Sequence, residues 1–146
     1  MNKTTALGLL AAPTLADDSR DHSRRGDRIE ARLKGFAEVP AVSSGASGRF
    51  KARIDHASQT LSYELSYSGL EDAVRMAHIH FGQHGVNGGI MVWLCQTAAF
   101  PSPVASTPQC PQSGTVSGVV SAADVIGPAA QGIAAAEFAE MVKAIG

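Results

Sequence analysis

Three segments in the first half of the chain alternate apolar and polar residues with a period of two. In each, every second side chain is apolar and most of those between are charged or polar, the pattern of a strand with one buried face. The apolar members are Ile29, Ala31, Leu33, Phe50, Ala52, Ile54, Leu61, Tyr63, Leu65 and Tyr67. Gly-, Ser- and Asp-containing loops separate the segments. Short alternating strands joined by such loops predict an antiparallel sandwich or barrel.

The second half of the chain predicts three further strands and one helix. The period of two continues over residues 77–81, and residues 115–120 form the last short alternating segment. Residues 90–94 are apolar on both faces, so we expect a central strand there. A helical spacing of i, i+3, i+4 and i+7 joins Phe138, Met141, Val142 and Ile145. We therefore expect a mainly β, antiparallel fold with one short C-terminal helix.

Length and charge narrow the classes of function. The 146 residues suit one domain with one core, and 45% hydrophobic with 17% charged residues is the composition of a folded protein. The formal net charge is -1, and the charged residues are dispersed along the sequence. The aromatic residues do not interleave with a basic patch, so we expect no nucleic-acid partner.

The first 27 residues form two segments ahead of the predicted domain. Residues 1–16 have a basic start, a short apolar run and small residues before Ala16, which is the layout of a secretory signal peptide. A frayed helix or a misplaced start codon is the alternative. Residues 17–27 are crowded with charge and predict a flexible tail, which leaves 28–146 as the domain. We expect an exported protein, periplasmic or extracellular, without a transmembrane segment.

Two cysteines, Cys95 and Cys110, are the only ones in the chain. An even count in an exported protein favours a disulfide. The residues between them are rich in Pro, Ser and Thr and predict an irregular loop. A thiolate metal site or a nucleophile is the alternative. Neither cysteine has a neighbouring histidine or a second close cysteine in sequence, so we favour the disulfide.

The segment His78-Ile79-His80 is the most informative part of the sequence. On a strand, residues two apart project to the same side, about 6.6 Å apart along the axis. Two imidazoles held in this way can converge on one metal ion, and imidazole suits copper, zinc, nickel and iron. Ile79 and Phe81, on the opposite face, would anchor the strand in the core. The alternative is a pair that is solvated or hydrogen-bonded to a neighbouring loop.

A stable metal site normally has three or four protein ligands, so the pair needs others. His84 follows four residues after His80 in a glycine-rich loop, and we include it with His78 and His80 in the predicted site. His56, in a turn, and Met76 are further candidates. Taken alone, His84 and His56 are typical surface loop residues, and Met76 is typical of a core.

Catalysis by side chains alone has little support in the sequence. The chain lacks a Gly-x-Ser-x-Gly elbow, a Cys-His arrangement and a His-Glu-x-x-His motif. The glycines around residues 82–89 are not followed by the Lys-Ser or Lys-Thr of a phosphate-binding loop. The sequence therefore favours a non-enzymatic role.

Several motifs, in order, resemble the CHRD domain, a module named after chordin. The resemblance covers roughly residues 28–145. It is carried by residues 33–42, 46–48, 61–65, 69–70, 77–82, 87–88, 94–95, 110–111, 114–118 and 124–128. It implies a Greek-key β-sandwich, an exported protein and a role in interaction, since chordin binds secreted growth factors. The His-x-His-Phe-Gly run also looks like the copper-binding strand of copper,zinc superoxide dismutases.

The chain departs from the family pattern at its C-terminal end. Family members usually continue with a tyrosine-containing strand, an Asn-x-His-Thr motif and a closing strand. The histidine of that motif would be the natural third ligand beside His78 and His80. The resemblance therefore implies a domain that is C-terminally incomplete, or one that a partner chain covers.

Two hypotheses for function follow. The favoured one is an exported binding or structural module that contacts an unidentified protein or the cell envelope and carries a copper or zinc site at His78 and His80. Its third ligand would come from His84, Met76, water or another subunit, so a homo-oligomer is one arrangement that fits. The alternative is a copper-dependent redox protein similar to superoxide dismutase in its metal-binding strand. No other cofactor is expected.

Overall fold

The computed structural model describes residues 28–145. The predicted signal peptide, residues 1–16, and the predicted tail, residues 17–27, lie outside the described residues. Mainly β structure, with antiparallel sheets and one short C-terminal helix, confirms the fold class predicted from the sequence. In the described part, none of the helices has the length and apolar character needed to cross a membrane.

Four strands form the larger sheet, in the order β1-β2-β3-β6, and every neighbouring pair is antiparallel. Their bounds are Arg28–Lys34 (β1), Ser47–Asp55 (β2), Thr60–Ser68 (β3) and Gly114–Ser121 (β6). Apart from the partly buried Ala31, the alternating apolar residues of β1, β2 and β3 are buried. The period of two in the sequence thus identified the inward face of this sheet.

The smaller sheet is the antiparallel hairpin of β4 (Ala77–Phe81) and β5 (Gly89–Cys95). After this hairpin the chain returns with β6 to pair with β3, a return connection typical of a Greek key. Within residues 28–145, β5 has only β4 as a strand neighbour, so the expectation of a central strand is wrong. Its apolar run is explained instead by two register irregularities, which change the faces that its side chains occupy.

One core lies between the two sheets and the helix. Phe50, Leu61 and Leu65 of the larger sheet meet Ile79 and Met91 of the hairpin in a single buried cluster. The helix, which we call α1, spans Phe138–Ile145 and buries Phe138, Met141 and Ile145. Three short 3-10 turns, Gly35–Ala37, Ala122–Asp124 and Ala129–Gln131, lie in the connections.

Tyr63 ties the larger sheet to the hairpin. Its hydroxyl donates a hydrogen bond to the main-chain oxygen of Leu94, and burial raises the pKa of the phenol to about 12. Gly118 of β6 lies directly opposite Tyr63 of β3. A Cβ atom at Gly118 would lie 2.5 Å from the tyrosine hydroxyl. The glycine therefore makes room for the tyrosine ring.

A disulfide joins Cys95, the last residue of β5, to Cys110, with Cα atoms 5.0 Å apart, as the sequence predicts. The loop between them contains no named strand or helix, but Gln96 organises it. The main-chain N–H of Gln96 donates to Pro108, and its side-chain nitrogen donates to the Thr107 carbonyl oxygen at 2.6 Å. The bridge and Gln96 together fix the loop against the end of β5.

Candidate metal centre

The β4–β5 hairpin places both histidines on the face of β4 opposite to Ile79. His78 lies across from Trp93, and His80 lies across from Ile90. The register shifts between Ala77 and His78 and again between Ile79 and His80. Because of these irregularities, Trp93 and Ile90 share the histidine face, whereas a regular ladder would pair His78 with Leu94.

The two imidazole rings lie close together. Their centroids are 4.5 Å apart, and the ring planes meet at 85°. A metal–nitrogen bond of about 2.0–2.1 Å puts a ligating imidazole centroid about 3 Å from the ion, so two rings on one ion lie within about 6 Å. The observed separation is within that limit. The ring positions therefore agree with the prediction that His78 and His80 converge.

A main-chain oxygen orients the ring of His80. Its Nδ1 lies 2.7 Å from the carbonyl oxygen of Gly88, to which it donates a hydrogen bond. In the neutral ring this bond places the proton on Nδ1 and the lone pair on Nε2. Ligating histidines are commonly oriented by such a bond through their second nitrogen. The close fold of the loop requires glycine at position 88, since a Cβ there would lie 1.5 Å from the Phe81 oxygen.

His78 is buried, with 5% of its surface exposed, which the sequence did not indicate. Its ring packs edge-to-face on Trp93, with the centroids 5.5 Å apart. Burial, with a smaller contribution from the nearby His80, lowers the pKa of His78 to about 4. The imidazole is therefore neutral near pH 7, which is the form that binds metals.

Two buried nitrogen atoms at this place have no hydrogen-bond partner in the described structure, Nδ1 of His78 and Nε1 of Trp93. A buried polar atom without a partner costs about 1–3 kcal/mol. Trp93 can only donate, whereas Nδ1 of neutral His78 can carry a lone pair. An electrophile such as a metal ion would satisfy Nδ1 of His78.

The other predicted ligands are not gathered around the pair. His84 is exposed in the loop after β4, Met76 is half-buried just before β4, and His56 is exposed in the turn after β2. Among residues 28–145, no group of three or more His, Cys, Asp or Glu side chains is placed to hold a metal ion. His78 and His80 are thus the two imidazoles that the fold brings together.

Two residues of this site escaped the sequence argument, Trp93 and Gly88. Trp93 lay in an apolar run that predicts a buried strand, and nothing in that run indicates which residue would face His78. Gly88 lies in the glycine-rich loop of the sequence, but the contact of its carbonyl oxygen with His80 depends on how that loop folds back.

A family model, described as the CHRD domain, matches residues 29–132. Within the described residues, the match spans the six strands except for Arg28 at the start of β1, and it includes both cysteines of the disulfide. No curated protein and no solved structure matches the chain.

Proposed function

This chain belongs to the CHRD domain family, and from that membership we propose that it is an exported, non-catalytic binding or structural module. We further propose that the module holds a copper or zinc ion at His78 and His80. The buried, unpartnered Nδ1 of His78 beside a second imidazole is the observation that carries this second part.

The hydrogen bonds suggest which nitrogen of each ring would bind. Nδ1 of His80 is occupied by Gly88, so His80 would bind through Nε2. His78 would bind through Nδ1, the atom that lacks a partner. Copper and zinc are among the metals that neutral imidazoles suit.

Two imidazoles leave coordination positions to be filled. We propose His84 as the third ligand, brought to the pair by a rearrangement of its exposed loop after β4, because the described structure does not gather it there. Water would complete the coordination. The bound ion would stabilise the fold by satisfying a buried nitrogen that the protein leaves without a partner.

Export is supported by two features. The sequence carries a signal-like segment, and the two cysteines are joined in a disulfide, which persists in oxidising compartments. Membership in the CHRD family is compatible with the same location.

The test is the metal content of the full chain purified from medium supplied with copper and zinc at micromolar concentration. We expect close to one ion per chain, lost in the His78→Ala/His80→Ala double variant. The single variant His80→Ala changes only a half-buried residue and guards against loss of fold. Circular dichroism of each variant checks that the sheets remain.

His56→Ala is the matched control, because it removes an exposed histidine from a turn outside the hairpin. It should keep the metal, whereas His84→Ala should weaken its retention. A wild-type chain that holds neither metal, or a folded double variant that holds as much as wild type, would show that the pair is not a metal site.

A further inference from the structure

The strand register gathers basic side chains that look dispersed in the sequence. Six of the twelve Lys and Arg residues of the chain lie on the outer face of β1 and β2, and all six are exposed. They are Arg28, Arg32, Lys34, Arg49, Lys51 and Arg53. The outer faces of β3 and β6 carry mostly Ser, Thr and Val, with Glu64. The basic surface is therefore a narrow track along two strands.

The row on β1 consists of Arg28, Glu30, Arg32 and Lys34 at every second position, about 6.6 Å apart. Glu30 is already engaged, since its carboxylate accepts a 2.6 Å hydrogen bond from Arg49 of β2. Three cations of this row are thus left with no salt bridge in the described structure. The row presents an excess of positive charge to solvent.

The pairing of β1 with β2 places like charges opposite each other. Arg28 faces Arg53, and Arg32 faces Arg49. Like charges directly across a ladder are destabilising. A shallow depression of about 340 Å³ lies over one of these pairs, and its charged lining is Arg28, Lys51 and Arg53 beside Glu30 and Glu64. A negatively charged group at this face would relieve the repulsion.

β1 is also an edge of the larger sheet within residues 28–145, because its one strand neighbour there is β2. The main-chain groups on its other side have the geometry that accepts an added strand. A second copy of this chain would bring a row of the same net positive charge to that edge, which opposes self-pairing. A strand of opposite charge fits both features.

We propose that the edge of β1 binds an acidic peptide in extended conformation, whose alternate carboxylates face Arg28, Arg32 and Lys34. The side chains of an extended peptide repeat at the same interval as those of β1, so the match extends along the strand. This proposal names a partner for the binding module proposed above. It uses a different sheet from the histidine pair.

The same surface fits other polyanions less well. Single-stranded nucleic acid binds through aromatic platforms, but Phe50, Tyr63 and Tyr67 of this sheet are buried on its inner side. An anionic membrane would meet the whole outer face, half of which is uncharged or acidic. A single extended chain contacts only the basic track.

The experiment uses the full chain and a fluorescent peptide with threonine at alternate positions, glutamate at the positions that face Arg28, Arg32 and Lys34, and glutamine at the position that faces Glu30. Fluorescence anisotropy at low ionic strength should show saturable binding that weakens with salt. In Arg32→Gln/Lys34→Gln the affinity should fall by about tenfold, from the loss of two cross-strand charge pairs. Lys143→Gln, which removes a cation of α1, should leave it unchanged.

Two further probes separate strand addition from simple charge attraction. The same peptide with methylated amide nitrogens keeps its charge but cannot pair with an edge, so it should not bind. Equal binding of both peptides, absence of binding, or tighter binding of a single-stranded oligonucleotide would overturn the proposal. The metal content of the same samples shows separately whether the histidine pair binds a metal ion. Failure of one proposal is therefore distinguishable from failure of the other.

Discussion

Burial of His78 should make the metal-free protein lose stability as the pH falls below about 6.5. The pKa of this imidazole is about 4 in the folded chain, against about 6.5 in an unfolded one. Between these values the unfolded chain binds a proton that the folded chain does not. The free energy of unfolding therefore decreases with falling pH through this window, and the contribution levels off below pH 4.

The lowered pKa of His78 sets the size of its contribution to the free energy of unfolding. A difference of about 2.5 pKa units corresponds to at most about 3.4 kcal/mol, and relaxation of the site around the charged ring reduces it, so we expect about 2–3 kcal/mol. Carboxylates titrate near the lower end of the same window. The comparison must therefore be made against a variant that lacks only this imidazole.

The assay is denaturant unfolding in the presence of a chelator, repeated at intervals from about pH 8 to about pH 4. His78→Phe removes the titrating ring and the unpartnered Nδ1 while keeping an aromatic side chain against Trp93. The wild-type free energy should fall by about 2–3 kcal/mol more than that of the variant. His56→Gln should follow the wild type. Parallel profiles for wild type and His78→Phe would refute the argument from burial.

Two further perturbations test the packing and the disulfide. Reduction of the Cys95–Cys110 bridge, which closes a segment with a sequence separation of 15, should lower the free energy of unfolding by about 3 kcal/mol in denaturant titrations; an unchanged midpoint would contradict it. Gly118→Ala should lower it by about 1–3 kcal/mol, because the new methyl group would meet the ring of Tyr63. Gly45→Ala is its control, since a Cβ at Gly45 meets nothing within 4 Å; equal effects of the two would remove the packing explanation.

Much of the fold could be predicted because each strand faces one core. The alternation of Ile29, Ala31 and Leu33 identified β1 and its inward face, and the helical spacing from Phe138 identified α1. The sequence did not reveal that β5 is one half of a two-stranded sheet. An apolar run predicts burial, but burial can come from a sheet neighbour or from register irregularities.

The site could be predicted only in part, for a related reason. The period of two placed His78 and His80 on one side of β4, and this is where they lie. Burial of His78 depends on Trp93 crossing to the same face, which follows from the register shifts in the hairpin. The hydrogen bond between His80 and Gly88 depends on a loop that folds back over eight residues. The periodicity of the sequence predicts neither of these two contacts.

The same limit applies to charge. In the sequence, cations from residues 28–34 and 49–53 are separated by a loop and by acidic residues, and they look dispersed. Antiparallel pairing of β1 with β2 brings Arg28 opposite Arg53 and so forms the basic track. Strand register determines which charged side chains lie next to each other on the surface, and composition does not predict that register.

The most direct test of the metal centre is a zinc titration of the full chain, followed through the ring nitrogen resonances of its histidines by NMR. We expect Nδ1 of His78 and Nε2 of His80 to shift together and to saturate at one equivalent, while the ring of His56 is unaffected. Ring nitrogens of His78 and His80 that do not respond to zinc, or that respond only as His56 does, would contradict a metal centre in the β4–β5 hairpin.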